Sequence, residues 1–171
     1  MSWFRFLLSS RLHRIAFHFL LIYFFPLNAL GQCIEGDGKN GYETMILPDG
    51  GKYVGQFKNG IPHGKGTQIL PDGYRYVGEF RNGLPDGHGT AISPIGSSYV
   101  GEWKKGKRHG KGTFTYRDGT RYYGKFENNK CHGHGTMVYS DGTKYVGQFK
   151  NGKPTGNGIV LPPAGKIPGM N

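Results

Sequence analysis

The chain has 171 residues, 31 of them glycine, and 22 Lys plus Arg stand against 11 Asp plus Glu for a formal net charge of +11. A basic balance of this size favours anionic surfaces. The two cysteines, Cys33 and Cys131, allow one disulfide at most.

Residues 1–31 differ from everything after them. They carry Arg5, Arg11 and Arg14 and no acid, then the apolar run 15–25, which Pro26 and Asn28 end. A basic n-region, a short apolar h-region and a polar break are the layout of a secretory signal peptide. Ala29 and Gly31 supply small residues for a cut before Gln32, and loss of residues 1–31 leaves a mature charge of +8. The competing reading is an uncleaved membrane anchor. It requires the apolar stretch to extend past Pro26, because a spanning helix needs about 18 apolar residues. A third reading is lipidation of Cys33, since Leu30-Gly31-Gln32-Cys33 is similar to a bacterial lipobox. Gln32 is too large for the residue before the lipidated cysteine in that motif, which ranks this reading last.

From residue 53 the chain repeats. Tyr53, Tyr76, Tyr99, Tyr122 and Tyr145 are spaced by 23 residues, and each opens a Tyr-x-Gly-x-(Phe/Trp) segment ending at Phe57, Phe80, Trp103, Phe126 and Phe149. The units are 53–75, 76–98, 99–121, 122–144 and 145–167, followed by a tail, 168–171. A fixed period of this length marks a solenoid whose units bury their apolar faces by stacking. Tyr, Gly and Phe fall at i, i+2 and i+4, so a strand puts all three on one face. That strand should end at Asn59-Gly60, Asn82-Gly83, Lys105-Gly106, Asn128-Asn129 and Asn151-Gly152, where Asn and Gly accept the positive φ of a tight hairpin. A second Gly-x-Gly follows, as at Gly64 and Gly66. The returning strand is expected after it, in stretches such as 67–70 and 136–139, before Asp72-Gly73, Asp118-Gly119 and Asp141-Gly142 turn the chain into the next unit. The glycine between two aromatics leaves space for a ring over the backbone. The five tyrosines and their partner rings therefore form the predicted core. At about 4.8 Å per strand, five two-strand units span on the order of 50 Å.

Residues 32–52 read as a degenerate first copy. Residues 41–50 align with 64–73, but Gly-x-Gly has become Gly41-x-Glu43 and the aromatic strand is replaced by Gln32-Cys33-Ile34, as a capping repeat should look. At the other end Pro162, Pro163 and Pro168 are expected to blunt the exposed sheet edge.

These motifs resemble the MORN family (membrane occupation and recognition nexus), whose unit is Tyr-x-Gly-x-(Phe/Trp), a turn, Gly-x-Gly and Asp-Gly. The resemblance covers residues 53–167 in five full copies. It implies an all-β fold, an elongated open antiparallel sheet or β-solenoid of tandem 23-residue hairpins, and a role in binding to proteins, to anionic phospholipids or to itself. The array and the N-terminal segment account for nearly all of the sequence, which leaves no room for the catalytic domains that accompany such arrays elsewhere.

No arrangement for chemistry emerges. Cys33 and Cys131 lie about four units, roughly 40 Å, apart along the sheet, whereas a disulfide needs α-carbons within about 7 Å. His63, His109 and His132 recur at one position and so stand roughly 10 Å apart in a column, too far to share a metal. His132 and His134 read as turn residues. The repeated acids Asp72, Asp118 and Asp141 begin turns, and no helix follows any Gly-x-Gly to make a phosphate loop. Neither a cofactor nor a metal is expected.

The densest basic cluster lies at the hairpin tip of the third unit: Lys104, Lys105, Lys107, Arg108 and Lys111. Together with the aromatics assigned to the exposed face, Tyr74, Tyr116, Tyr123 and Tyr139, these are the candidate contact residues. The basic tip suits anionic lipid headgroups, or serves solubility as exposed lysines commonly do. Nucleic acid is disfavoured, since no recognition-helix pattern occurs and the aromatics are needed for the core. The preferred reading is an exported, non-enzymatic scaffold that binds a protein partner or itself. The alternatives are an anionic-lipid module and, remotely, an enzyme.

Overall fold

The computed structural model describes residues 32–156 and 158–164. The expected signal segment and Pro168 lie outside them. Every described element is a strand: β1 (Gln32–Glu35), β2 (Gly41–Ile46), β3 (Lys52–Lys58), β4 (Ile61–Ile69), β5 (Arg75–Arg81), β6 (Leu84–Ile92), β7 (Ser98–Lys104), β8 (Lys107–Thr115), β9 (Arg121–Glu127), β10 (Lys130–Val138), β11 (Lys144–Lys150), β12 (Lys153–Pro154) and β13 (Ile159–Leu161). They form one open antiparallel sheet in chain order from β1 to β12, and β13 continues the pairing along β11.

The hairpin tips are two-residue turns with left-handed backbone at both positions: Asn59 and Gly60 at φ 52° and 75°, Asn82 and Gly83 at 51° and 80°, and even Asn128 and Asn129 at 48° and 71°. This is the I′ geometry whose twist matches paired strands. The tips also bond to one another along the array. Gly83 N–H donates to Pro62 O (2.9 Å), Gly106 N–H to Pro85 O (2.8 Å) and Gly152 N–H to Cys131 O (2.9 Å). Between units, the Asp-Gly turns close as expected. The carboxylates of Asp72, Asp118 and Asp141 accept the N–H of Tyr74, Thr120 and Thr143 at 2.8–2.9 Å.

The return strand differs from the sequence expectation. It begins directly after the tip, so β4 already includes Pro62-His63-Gly64-Lys65-Gly66. The surplus residues form a bulge: Gly55 pairs with Gly66 and Phe57 with Pro62, which leaves residues 63–65 opposite Gln56 alone. The side chain of Gln56 fills the gap, its Oε1 accepting Lys65 N–H at 2.7 Å. Glu79 and Glu102 do the same for His88 N–H (3.1 Å) and Lys111 N–H (2.8 Å). The Gln and Glu at this repeat position therefore satisfy a backbone donor that the bulge strips of its ladder partner.

The core is a ladder of rings in one layer. Each interior tyrosine meets its own i+4 ring and the ring of the next unit edge to face: Tyr53 lies 5.0 Å from both Phe57 and Phe80, and Tyr99 lies 5.3 Å from Trp103 and 4.9 Å from Phe126. This is the geometry the ring quadrupole favours. The hydroxyl then reaches over the backbone of its own strand and donates to Gln56 O, Glu79 O, Glu102 O and Lys125 O at 2.9–3.0 Å. That path explains the glycine pair. A methyl group at Gly55 would stand 2.7 Å from the Tyr53 hydroxyl, and one at Gly66 would collide with the same ring. All ten predicted core rings are buried. In the N-terminal copy, Glu43 occupies the place of the second glycine and is buried, with Cys33 Sγ 3.6 Å from its Oε2.

Candidate binding faces of the sheet

Strand alternation gives the sheet two faces with different obligations. One carries the ring ladder. The other carries a row in cross-strand register from β2 to β13: Thr44, Val54, Thr67, Val77, Thr90, Val100, Thr113, Tyr123, Thr136, Val146 and Ile159. Val77, Val100, Tyr123, Val146 and Ile159 in this row are 40–63% exposed, and Ile69 and Ile92 beside it are 40% and 46% exposed. β-branched residues suit a pleated surface, which accounts for their presence in strands. It does not account for apolar side chains left open to water at intervals along one row, and such a row marks an interaction surface.

The candidate contact residues divide between the faces. Lys104 pairs with Lys107 and Lys111 with Lys125, so these four lysines share the Val/Thr face with Tyr123. There Lys111 and Lys125 border a shallow depression of about 540 Å³ that Val100, Thr113 and His134 also line. Lys105 stands exposed at the tip with φ 49°. Tyr116 and Tyr139 are exposed in the inter-unit turns.

Arg108 does not join the lysines. It pairs with Trp103 and so faces the ring ladder, half buried, with Cζ 4.7 Å from the centre of the Phe114 ring and 5.8 Å from those of Tyr99 and Phe126. Its Nη2 donates to Asn129 O at 2.9 Å. Tyr74 likewise is not on the exposed face. It packs against the core, and burial pushes its hydroxyl pKa up to about 12. The signal for both corrections is in the sequence. Arg108 stands opposite Trp103 across a two-residue turn, and Tyr74 is two residues before Tyr76 and so shares its parity.

The histidines are held singly. His132 lies 3.4 Å from Glu127, and His134 Nε2 lies 2.6 Å from Gln148 Nε2. Among the described residues no three His, Cys, Asp or Glu side chains gather as a metal site. Cys33 and Cys131 are both free thiols.

The periodic ring ladder has a counterpart in a family model: MORN repeat matches residues 53–73, 76–98, 99–121, 122–144 and 145–160, more than half of the chain. The chain belongs to the MORN repeat family. MORN repeats generally serve as scaffold modules that bind proteins or membranes. No curated protein sequence matches the chain. Among solved structures, the chain is similar to the SAS-4 (dCPAP) TCP domain of Drosophila melanogaster in complex with a proline-rich motif of Ana2. The identity is 12%, over 76% of this chain and 88% of that one, with a TM-score of 0.30. The family match follows the structure: the matched units run from Tyr-x-Gly-x-(Phe/Trp) through the bulge toward an inter-unit turn, which is Asp-Gly at residues 72–73, 118–119 and 141–142 and Ile95-Gly96 in the second unit, and the unit at 32–52, which lacks the ring strand, falls outside the match.

Proposed function

We propose that this MORN protein is an exported, non-enzymatic scaffold that binds another protein through the Val/Thr face of its sheet. The observation that carries the reading is the row in register from Thr44 to Ile159, β-branched or aromatic at every position, in which Val77, Val100, Tyr123, Val146 and Ile159 are exposed and the threonines half-buried. A long, regular surface of this kind gains affinity from area and register and has no enclosed pocket with convergent polar groups, which catalysis would require. Export is supported by the signal-like composition of residues 1–31, and intact mass is its check: a mature chain beginning at Gln32 is expected.

The test of the binding face is a photo-crosslinking residue at position 100 in the protein expressed in its native cells, with the same residue at exposed position 117 as control. Adducts to a protein partner or to a second copy at 100, retained at 0.5 M salt, are expected. Adducts at 117 only would overturn the reading. The second reading, an anionic-lipid surface, draws on Lys104, Lys107, Lys111 and Lys125 standing on that same face. It predicts sedimentation with phosphatidylserine vesicles that vanishes by 0.5 M salt, because surface charge attraction is screened within a few ångströms there.

A further inference from the structure

In a repeat array, whatever the fold demands recurs with the period, so residues that break the period yet meet in space answer to something other than the fold. Position 108 is such a break: the equivalent residues are Pro62, Pro85, Cys131 and Pro154. Position 114 varies from unit to unit and is aromatic only here, with Gln68, Ala91, Met137 and Val160 elsewhere. Position 74 is likewise aromatic only here, with Gly51, Ser97, Thr120 and Thr143 in the other units. All three lie on the ring-ladder face. The Arg108 guanidinium lies over Phe114 at 4.7 Å, Phe114 meets Tyr116 edge to face at 4.6 Å, and Tyr74 and Phe114 pack on the core.

The guanidinium is electrically unpaired. No acidic side chain among the described residues forms an ion pair with it; the two such pairs join Arg81 to Asp86 and His132 to Glu127. Of its five N–H groups, one is taken by Asn129 O. The groups electrostatically closest to it are Tyr74, Cys131, Tyr116 and Tyr99. All are neutral at pH 7, since burial raises the pKa of each tyrosine and of the thiol. A half-buried cation normally finds an anion, and leaving one without a partner is costly. Here the aromatic floor holds it by cation–π attraction while donors remain free.

We propose that Arg108, seated over the Phe114 ring, is a docking site on the ring-ladder face for the carboxylate of an acidic peptide, whose neighbouring apolar side chains rest on Phe114 and Tyr116. One guanidinium matches a monoanion in a planar, two-point contact. A phosphate carries nearly two charges and calls for a second cation, but Lys104, Lys107 and Lys111 are on the opposite face. The inference rests on the reading of the protein as a protein-binding scaffold, but it concerns the other face, so the two fail separately.

The probes are three acetylated, amidated tripeptides, Phe-Glu-Phe, Phe-Gln-Phe and Phe-phosphoSer-Phe, titrated into the protein while the Arg108 Nε–H and aromatic ring signals are followed by NMR. The Glu peptide is expected to shift Arg108, Phe114 and Tyr116 and to bind about tenfold more tightly than the Gln peptide, as a charge-assisted pair requires. Arg108→Met keeps an apolar chain over Phe114 and should abolish the Glu-over-Gln preference. Arg108→Lys should retain only part of it. If Arg108→Met does not fold, the Arg108→Lys result and the comparison of the three peptides on the unaltered protein still decide the question. Equal binding of the Glu and Gln peptides, or shifts confined to the lysines, would overturn the proposal. Markedly tighter binding of the phosphoserine peptide would replace the carboxylate with a phosphate. Loss of the crosslinks at position 100 with this peptide response intact would sink the Val/Thr-face reading and leave the Arg108 site standing.

Discussion

The two faces of the sheet are built from neighbouring residues of the same strands, yet they are under opposite constraints. Tyr99 is 1% exposed and Val100 is 53% exposed. On the ladder face the same residue types recur at every period because each ring is a wall of two units, its own and the next. On the Val/Thr face residues recur where the pleat favours them, and among the described residues Val77, Val100, Tyr123 and Val146 stay exposed. Buried recurrence therefore reports on stability, exposed recurrence on what the surface meets, and breaks in the buried pattern on function.

Truncation of one residue on each face tests this directly and has the largest expected effect. Tyr99→Ala removes a ring shared by units three and four and should cost about 3–5 kcal/mol. Val100→Ala, one residue away, should stay within about 0.5 kcal/mol. Denaturant melts of both variants check the pair, and comparable losses would show that the Val/Thr face is also part of the folded core.

The next contrast lies within the ladder. Tyr122 donates to Lys125 O at 3.0 Å, whereas Tyr145, in the last unit, has a buried hydroxyl with no partner among the described residues, and Phe149 is the one described ring it meets. Tyr122→Phe should therefore cost about 0.5–1.5 kcal/mol, while Tyr145→Phe should be neutral or stabilising, because it removes a desolvated hydroxyl that gains nothing. A measured loss at Tyr145 equal to that at Tyr122 would mean that a further element supplies its acceptor.

Alkaline pH destabilises the ladder. Burial pushes the Tyr122 and Tyr74 hydroxyls up to about 12, against about 10 for an unfolded tyrosine. The neutral form is the one the fold favours, so this contribution is complete below pH 10 and declines as pH rises from 10 through 12. Melting temperature should be level from neutral pH to about 9.5 and fall above it. Ring absorbance should show Tyr122 and Tyr74 ionising above the usual tyrosine range.

How far the sequence reveals this division depends on the range of the physics. The period, the i, i+2, i+4 spacing of Tyr, Gly and Phe, and the Asn-Gly and Asp-Gly turns are local, and they place the ring ladder and the turns as the structure has them, though not the start of the return strand. The bulge opposite Gln56 is not local. It follows from fitting a nine-residue strand to a seven-residue one, so the sequence carries no local signal that the carboxylates of Glu79 and Glu102 hold backbone N–H groups. Arg108 shows the same limit. Its face is set by parity with Trp103 and was legible, but the meeting of its guanidinium with Phe114, six residues on in the same strand, depends on how side chains lie across the sheet. A linear cluster of basic residues conceals that its members point to opposite sides.

The smallest effect concerns the tip where that cluster sits. Lys105 holds φ 49°, in a place that Asn59, Asn82, Asn128 and Asn151 fill in the other units at φ 48–53°. An extended side chain in the left-handed region pays a steric cost that asparagine largely avoids. Its backbone N–H is already satisfied by Asp86 Oδ2 at 3.1 Å, and the substitution leaves that bond untouched. Lys105→Asn should therefore stabilise the protein by a few tenths of a kcal/mol, up to about 1. The native lysine thus forgoes stability that its sibling units have, and the reason must lie in its charge. If vesicle binding and crosslinking at position 100 are both unchanged in Lys105→Asn, the lysine serves only solubility. A loss of vesicle binding alone would assign the tip to lipid and leave the Val/Thr face to protein.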